Sequence, residues 1–169
     1  MRTKDGPSVS RRGERAEMLF REGYNCAQAV FCAFDDLTGF DRETSARLSS
    51  SFGGGMGRLR EACGAVSGAL MTLGILLGYA DPKDRRAKAD HYRLVQEFAA
   101  RFRDRNGSIV CRELLAGVDT SPGPEPQERS DEFYQKRPCA RLVRQAAEIA
   151  AEMLEEAGAS AAAERENTK

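Results

Sequence analysis

Between Ala62 and Ala80 the chain carries no charged residue, although Asp, Glu, Lys and Arg make up 31% of its 169 positions. A run this long without charge has to be surrounded by protein or by lipid. Gly64, Gly68, Gly74 and Gly78, with Cys63, Ser67 and Thr72, make it a poor bilayer span. The better reading is a central helix over Cys63 to Tyr79, buried on all sides of a soluble bundle. At 100° per residue Gly64, Ser67, Gly68, Met71, Gly74 and Gly78 share one side, interrupted by Ile75, while Leu70, Leu73 and Leu77 project from the other. A strip of small residues lets a second helix backbone approach closely. It suits a homodimer contact as readily as packing within the chain.

Helices able to cover that run are legible on both sides of it. Arg11 to Glu22 reads as a first helix stopped by Gly23. Asn25 is placed to cap a second, Cys26 to about Leu37, with Gly39 ending it. Asp41 caps a short third helix, Arg42 to Ser50. A long amphipathic helix follows Asp81-Pro82, from about Asp84 to Arg105, with Leu94, Val95, Phe98 and Phe102 on one face. Ser108 can cap a short helix carrying Cys111 and Leu114. Ser121 to Asp131, with three prolines, reads as a surface loop. Pro138 suits the first turn of a last helix to about Glu156, stopped by Gly158. No stretch alternates as a strand does. The expected fold is therefore all-α: a flexible N-terminus over 1–9, one helical-bundle domain over 10–157 and a disordered tail over 158–169.

Charge and cysteine usage narrow the function classes. Lys+Arg and Asp+Glu balance at 26 each, so nothing calls for nucleic acid. Met1 to Arg15 has no apolar segment resembling an export signal, which suggests a cytoplasmic protein. Five cysteines there point to reduced thiols, metal binding or redox work rather than a disulfide framework.

The cysteines are not scattered at random. Cys26, Cys63, Cys111 and Cys139 each fall in the first turn of a different expected helix, in phase with its apolar face. Cys139, for example, lines up with Leu142, Ala146, Ile149 and Met153. A helix N-terminus carries positive partial charge and free N–H groups. A thiol there is acidified, and the thiolate is the form that attacks disulfides and binds metals. Four such positions facing one core can converge in one pocket. Cys32 lies about 240° around the helix from Cys26, by the helical 100° per residue, so it faces elsewhere and packs.

These pieces resemble the bacterial and archaeal C_GCAxxG_C_C family, named for its cysteine pattern and described as redox-active. The resemblance rests on Tyr24-Asn25-Cys26-Ala27-Gln28-Ala29-Val30, Phe52-Gly53-Gly54-Gly55-Met56-Gly57 and Cys63-Gly64-Ala65-Val66-Ser67-Gly68. Cys111 with Glu113-Leu114, and Pro138-Cys139, complete it. The family name writes Gly-Cys-Ala where this chain reads Cys-Gly-Ala, and Cys63 is the matching cysteine. The resemblance implies a prokaryotic redox role and names no substrate or redox partner.

Two chemistries fit four such cysteines. Two thiols can form a reversible disulfide that the others resolve or relay. Alternatively, four thiolates can ligate a metal ion or an iron–sulfur cluster, although no C-x-x-C spacing supports a structural zinc site. A third reading is a helical interaction protein with inert core cysteines. The glycine run lacks the phosphate-loop pattern. It reads instead as a tight connection that leaves room for a small ligand beside Cys63, with Gly54, Gly55 and Gly64 against it. Cys63, next to those glycines, is expected to be more acidic than an ordinary thiol and to alkylate faster than Cys32. His91, the only histidine, shares a face with Leu94, Val95 and Phe98. It reads as a hydrogen-bonded core residue, with a proton donor near the cysteines as the alternative.

Overall fold

A computed structural model describes the backbone over residues 9–167 and side chains over 9–158. The termini expected to be flexible or disordered lie partly outside the described residues, at 1–8 and 168–169. Among the described residues every regular element is a helix. They are α1 (Val9–Arg21), α2 (Cys26–Cys32), α3 (Asp35–Thr38), α4 (Arg42–Ser49), α5 (Gly64–Leu77), α6 (Arg85–Asn106), α7 (Cys111–Leu114), α8 (Asp131–Lys136) and α9 (Cys139–Asn167). No helix among them is long and apolar enough to cross a membrane.

Local chemistry starts these helices where the sequence indicates. Asn25 caps α2 with a full capping box: its side chain accepts from the Gln28 N–H, and the Gln28 side chain accepts from the Asn25 N–H. Asp41 and Asp84 accept from Thr44 and Ala87 at the starts of α4 and α6. Ser130 caps α8, a helix the sequence reading missed. Helix α9 starts at Cys139, one residue after Pro138, and runs past Gly158 to Asn167.

The expected single helix from Cys26 to Leu37 breaks after Cys32, and Arg12 is the reason. Its guanidinium, 3% exposed, donates to the Ala33 carbonyl at 2.6 Å and to both Asp36 carboxylate oxygens at 2.5 and 2.7 Å. The Ala33 carbonyl would otherwise accept from Leu37, whose N–H turns to Phe34 instead. The same pairing, strongest through the Arg12 hydrogen bonds, lowers the pKa of Asp36.

The most enclosed element is α2, where Ala27, Ala29, Val30, Phe31 and Cys32 are all buried. The expectation that the uncharged helix would be covered on all sides holds only for its first half. Ala65, Val66, Ala69, Thr72 and Leu73 of α5 are buried, but Ile75 is 50% exposed. The small-residue strip packs within the chain. A Cβ on Gly68 would lie 2.5 Å from the Ala27 carbonyl oxygen, and one on Gly64 would lie 3.1 Å from the Cys26 Cβ. Gly74, lower on the same strip, has nothing within 4 Å.

These two glycines should respond oppositely to the same substitution. Gly74→Ala gains helix propensity in open space and should stabilise by up to about 1 kcal/mol. Gly68→Ala makes the same gain but forces α5 off the α2 backbone, a strain of roughly 1–3 kcal/mol, so it should destabilise on balance. Urea unfolding of the two variants measures this. A stabilised Gly68→Ala would rule out the close approach.

Candidate functional site

Four separate segments deliver the cysteines to one end of the bundle. Cys26, Cys111 and Cys139 are the first residues of α2, α7 and α9, and Cys63 immediately precedes α5. An isolated antiparallel bridge between Ala62 and Val110 holds two of them side by side. Within it the Cys63 N–H donates to Ile109 at 2.8 Å and the Cys111 N–H donates to Glu61 at 2.6 Å. The capping residues fix Cys26. Asn25 also donates to the Ser50 carbonyl, and Gln28 to the Ala46 carbonyl, tying the start of α2 to α4.

The glycine run approaches from the other side as a left-handed turn. Gly54, Gly55, Met56, Gly57 and Arg58 have φ of 67°, 70°, 67°, 61° and 69°. Left-handed backbone costs a side-chain-bearing residue about 1–2 kcal/mol, so Met56 and Arg58 are strained, as is Arg60 at φ 61°. The turn brings the Gly54 N–H to the Cys26 sulfur. Gly55 has to be glycine for space as well, because a Cβ there would lie 2.7 Å from the Cys111 Cβ.

Cys26, Cys111 and Cys139 line a cavity of about 330 Å³. Cys63, 5% exposed, sits behind them, near enough to Cys26 and Cys111 for their charges to act on it. A larger open groove of about 700 Å³ adjoins beyond Gln127 and Arg137, but no cysteine lines it. Cys32 is fully buried and interacts with Asp35, Arg42 and Arg15 rather than with the other thiols. His91 is not at the site. It rests against Tyr79, ring centroids 6.0 Å apart, beyond the far end of α5 from Cys63. Its Nδ1 has no hydrogen-bond partner among the described residues, so the expected hydrogen-bonded core position is not what forms.

The thiols divide sharply in acidity. Cys26 falls from 9.0 to about 6, chiefly through the hydrogen bond from the Cys139 thiol. Burial opposes the shift, while the Gly54 N–H and the Arg129 cation support it. Cys139 moves strongly upward because it donates that bond, because it is buried and because the Cys26 charge is close. Burial, then the charge on Cys26, pushes Cys63 up to about 12. The N–H groups of Ala65 and Val66 do pull it down, as its place at a helix start suggests, but they are outweighed. Burial also raises Cys111, against the pull of Arg60. The most acidic thiol is therefore Cys26, not Cys63.

Arg58 and Arg60, just before Cys63, read from the sequence as surface residues able to tune a thiolate, whereas Arg129 and Arg137 went unread. Arg58, Arg60, Arg129 and Arg137 all line the cavity. Arg129, in the segment read as a bare surface loop, donates to the Phe20 and Tyr24 carbonyls at 3.1 Å. It also lies 4.3 Å from the Phe20 ring centroid. Arg58 donates to the Ser121 carbonyl at 2.6 Å, so arginines pin the proline-rich loop over the site at both ends. The one available signal was adjacency: Arg60 and Arg137 stand three and two residues before Cys63 and Cys139.

Among the described residues no group of three or more His, Cys, Asp or Glu side chains is arranged to hold a metal ion. A family model described as "Putative redox-active protein (C_GCAxxG_C_C)" matches residues 24–153. No curated protein and no solved structure matches the chain.

The division of acidity is measurable by iodoacetamide labelling across pH, read per cysteine by mass spectrometry on reduced protein. Cys26 should label with a midpoint near about 6, and Cys63 and Cys32 only on unfolding. Labelling of Cys63 ahead of Cys26 would reverse the assignment.

Proposed function

The chain belongs to the C_GCAxxG_C_C family, and on that premise we propose that it is a thiol redox protein whose working pair is Cys26 and Cys139. The observation carrying this reading is that Cys26 and Cys139, from two different helix starts, line the wall of one cavity; Cys139 lowers the pKa of Cys26 while its own is raised. Only the thiolate attacks a disulfide, and a thiol with pKa near or below the ambient pH is largely in that form. Cys26 attacks one sulfur of a substrate disulfide. The substrate S–S bond breaks, a mixed disulfide forms and the first substrate thiolate leaves. Cys139 then gives its proton to that thiolate and attacks the Cys26 sulfur. The Cys26–Cys139 disulfide forms and the second substrate thiolate departs. The protein loses two electrons and the substrate disulfide gains them. In reverse, the same steps oxidise a dithiol.

Cys111, on the same cavity wall, and Cys63, behind it, are held together by the Ala62–Val110 bridge and form a second thiol pair. It is placed to relay the disulfide inward by exchange with Cys26 or Cys139. A compartment that keeps thiols reduced, such as the cytoplasm, suits this cycle. Arg112 and Glu61 clamp the bridge with an ion pair at 2.9 Å, a surface contact worth at most about 1 kcal/mol.

Two measurements test the reading. Mild oxidation should consume two thiols, and peptide mapping should join Cys26 to Cys139. Cys139→Ala should abolish that disulfide and return the Cys26 pKa from about 6 toward the ordinary 9.0, since the lost bond is the largest cause of the shift. A Cys26 that stays acidic without Cys139, or visible absorption from thiolate-bound iron in anaerobically purified protein, would count against the pair.

A further inference from the structure

The cavity has a charge property that the thiol pair does not require. Its walls carry four guanidinium groups, those of Arg58, Arg60, Arg129 and Arg137, and among the described residues no carboxylate lines it. Many arginines elsewhere in the fold are paired with acids. Arg12, Arg101, Arg105 and Arg144 all hold carboxylates at 3.5 Å or less. The four at the cavity form no ion pair among the described residues. Their hydrogen bonds go to neutral acceptors: Arg129 to the Phe20 and Tyr24 carbonyls, Arg58 to Ser121, and Arg137 to the Gln127 side chain. Arg60 reaches only toward the Cys111 sulfur, at 4.0 Å. The Nη1 of Arg58 is buried with no hydrogen-bond partner among the described residues.

In a chain of zero formal net charge, gathering four uncompensated cations on one wall is unfavourable unless something offsets it. They repel one another, and Arg137 shows it: burial first, then Arg60 and Arg58, lower its pKa. One thiolate, Cys26, neutralises a single charge. Three remain, turned toward a space of about 330 Å³, at the lower end of cavities that hold small molecules. Guanidinium forks match carboxylate and phosphate geometry two bonds at a time. Two of the cations are fixed rigidly, Arg129 between two carbonyls and over the Phe20 ring, and Arg58 against the proline loop.

Resting on the thiol redox reading above, we infer that this cavity selects small-molecule disulfides and thiols that carry negative charge, with the four arginines as their binding groups. The anionic group docks on the guanidinium wall and its sulfur meets Cys26. After exchange the released thiolate, itself an anion, leaves against the same field, which holds it until Cys139 has protonated it.

Three small aliphatic disulfides isolate the charge: 3,3′-dithiodipropionate (dianionic), hydroxyethyl disulfide (neutral) and cystamine (dicationic). The rate of Cys26 oxidation by each is divided by its rate with free 2-mercaptoethanol, which removes intrinsic differences between the leaving thiols. The normalised order should be anionic over neutral over cationic. The anionic-to-neutral ratio should be roughly tenfold or more at low salt, the scale on which a charged cleft raises encounter rates. The ratio should shrink toward one between about 0.01 M and about 1 M salt, as the screening length falls from about 30 to about 3 Å. Arg60→Gln and Arg58→Gln should each reduce it, and either variant suffices. Equal normalised rates, or a ratio indifferent to both arginines, would overturn anion selection and leave the thiol reading standing. If none of the three oxidises Cys26, the thiol reading itself falls and takes this inference with it.

Discussion

The site depends on how closely the backbone of α5 (Gly64–Leu77) lies against α2 (Cys26–Cys32). Gly64 and Gly68 bear no Cβ where one would meet the Cys26 Cβ, the Phe52 carbonyl and the Ala27 carbonyl. That contact brings the start of α5, with Cys63 before it, up to the start of α2. The Ala62–Val110 bridge then carries Cys111 to the same point, and α9 arrives along α1 with Cys139 at its tip. Gly13 of α1 likewise leaves room for α9, although a Cβ there would meet the Glu148 side chain, at 2.6 Å, rather than backbone. Small residues at helix crossings thus set the spacing of the sulfurs.

Four thiols this close cannot all be anions, because each thiolate formed raises the cost of the next. The structure resolves the competition in favour of the sulfur with the most donors. Cys26 has the Gly54 N–H, the Cys139 thiol and the Arg129 cation, and the charge settles there. Cys63 has helix N–H groups as well, but it is more deeply buried and it faces that charge. Position at a helix start is therefore not sufficient for acidity. What separates two equivalent positions is access to the cavity and the side chains of other segments.

Much of this was legible in the sequence. The all-α class, the caps at Asn25 and Asp41, the start of the long helix near Asp84, the cysteines at helix starts and the odd position of Cys32 all follow from spacing and composition. The rest was not, because it arises from contacts between distant segments. The break after Cys32 is made by Arg12, twenty-one residues earlier. A lone bridge at Ala62 and Val110 leaves no alternation to read. Exposure of Ile75 and intrachain use of Gly68 depend on which neighbours reach α5. The acidity of Cys26 depends on Cys139 and Arg129, neither of which the local sequence around Cys26 can name.

That dependence has a consequence for the life of the chain. Cys139 follows Cys26 by more than a hundred residues, so the group that acidifies Cys26 is synthesised well after it. Until α9 docks, Cys26 lacks the thiol that most lowers its pKa. In an unfolded chain Cys26 is one exposed thiol among several, with nothing to single it out. Its distinct reactivity depends on α9 meeting α2, and so reports that this contact has formed.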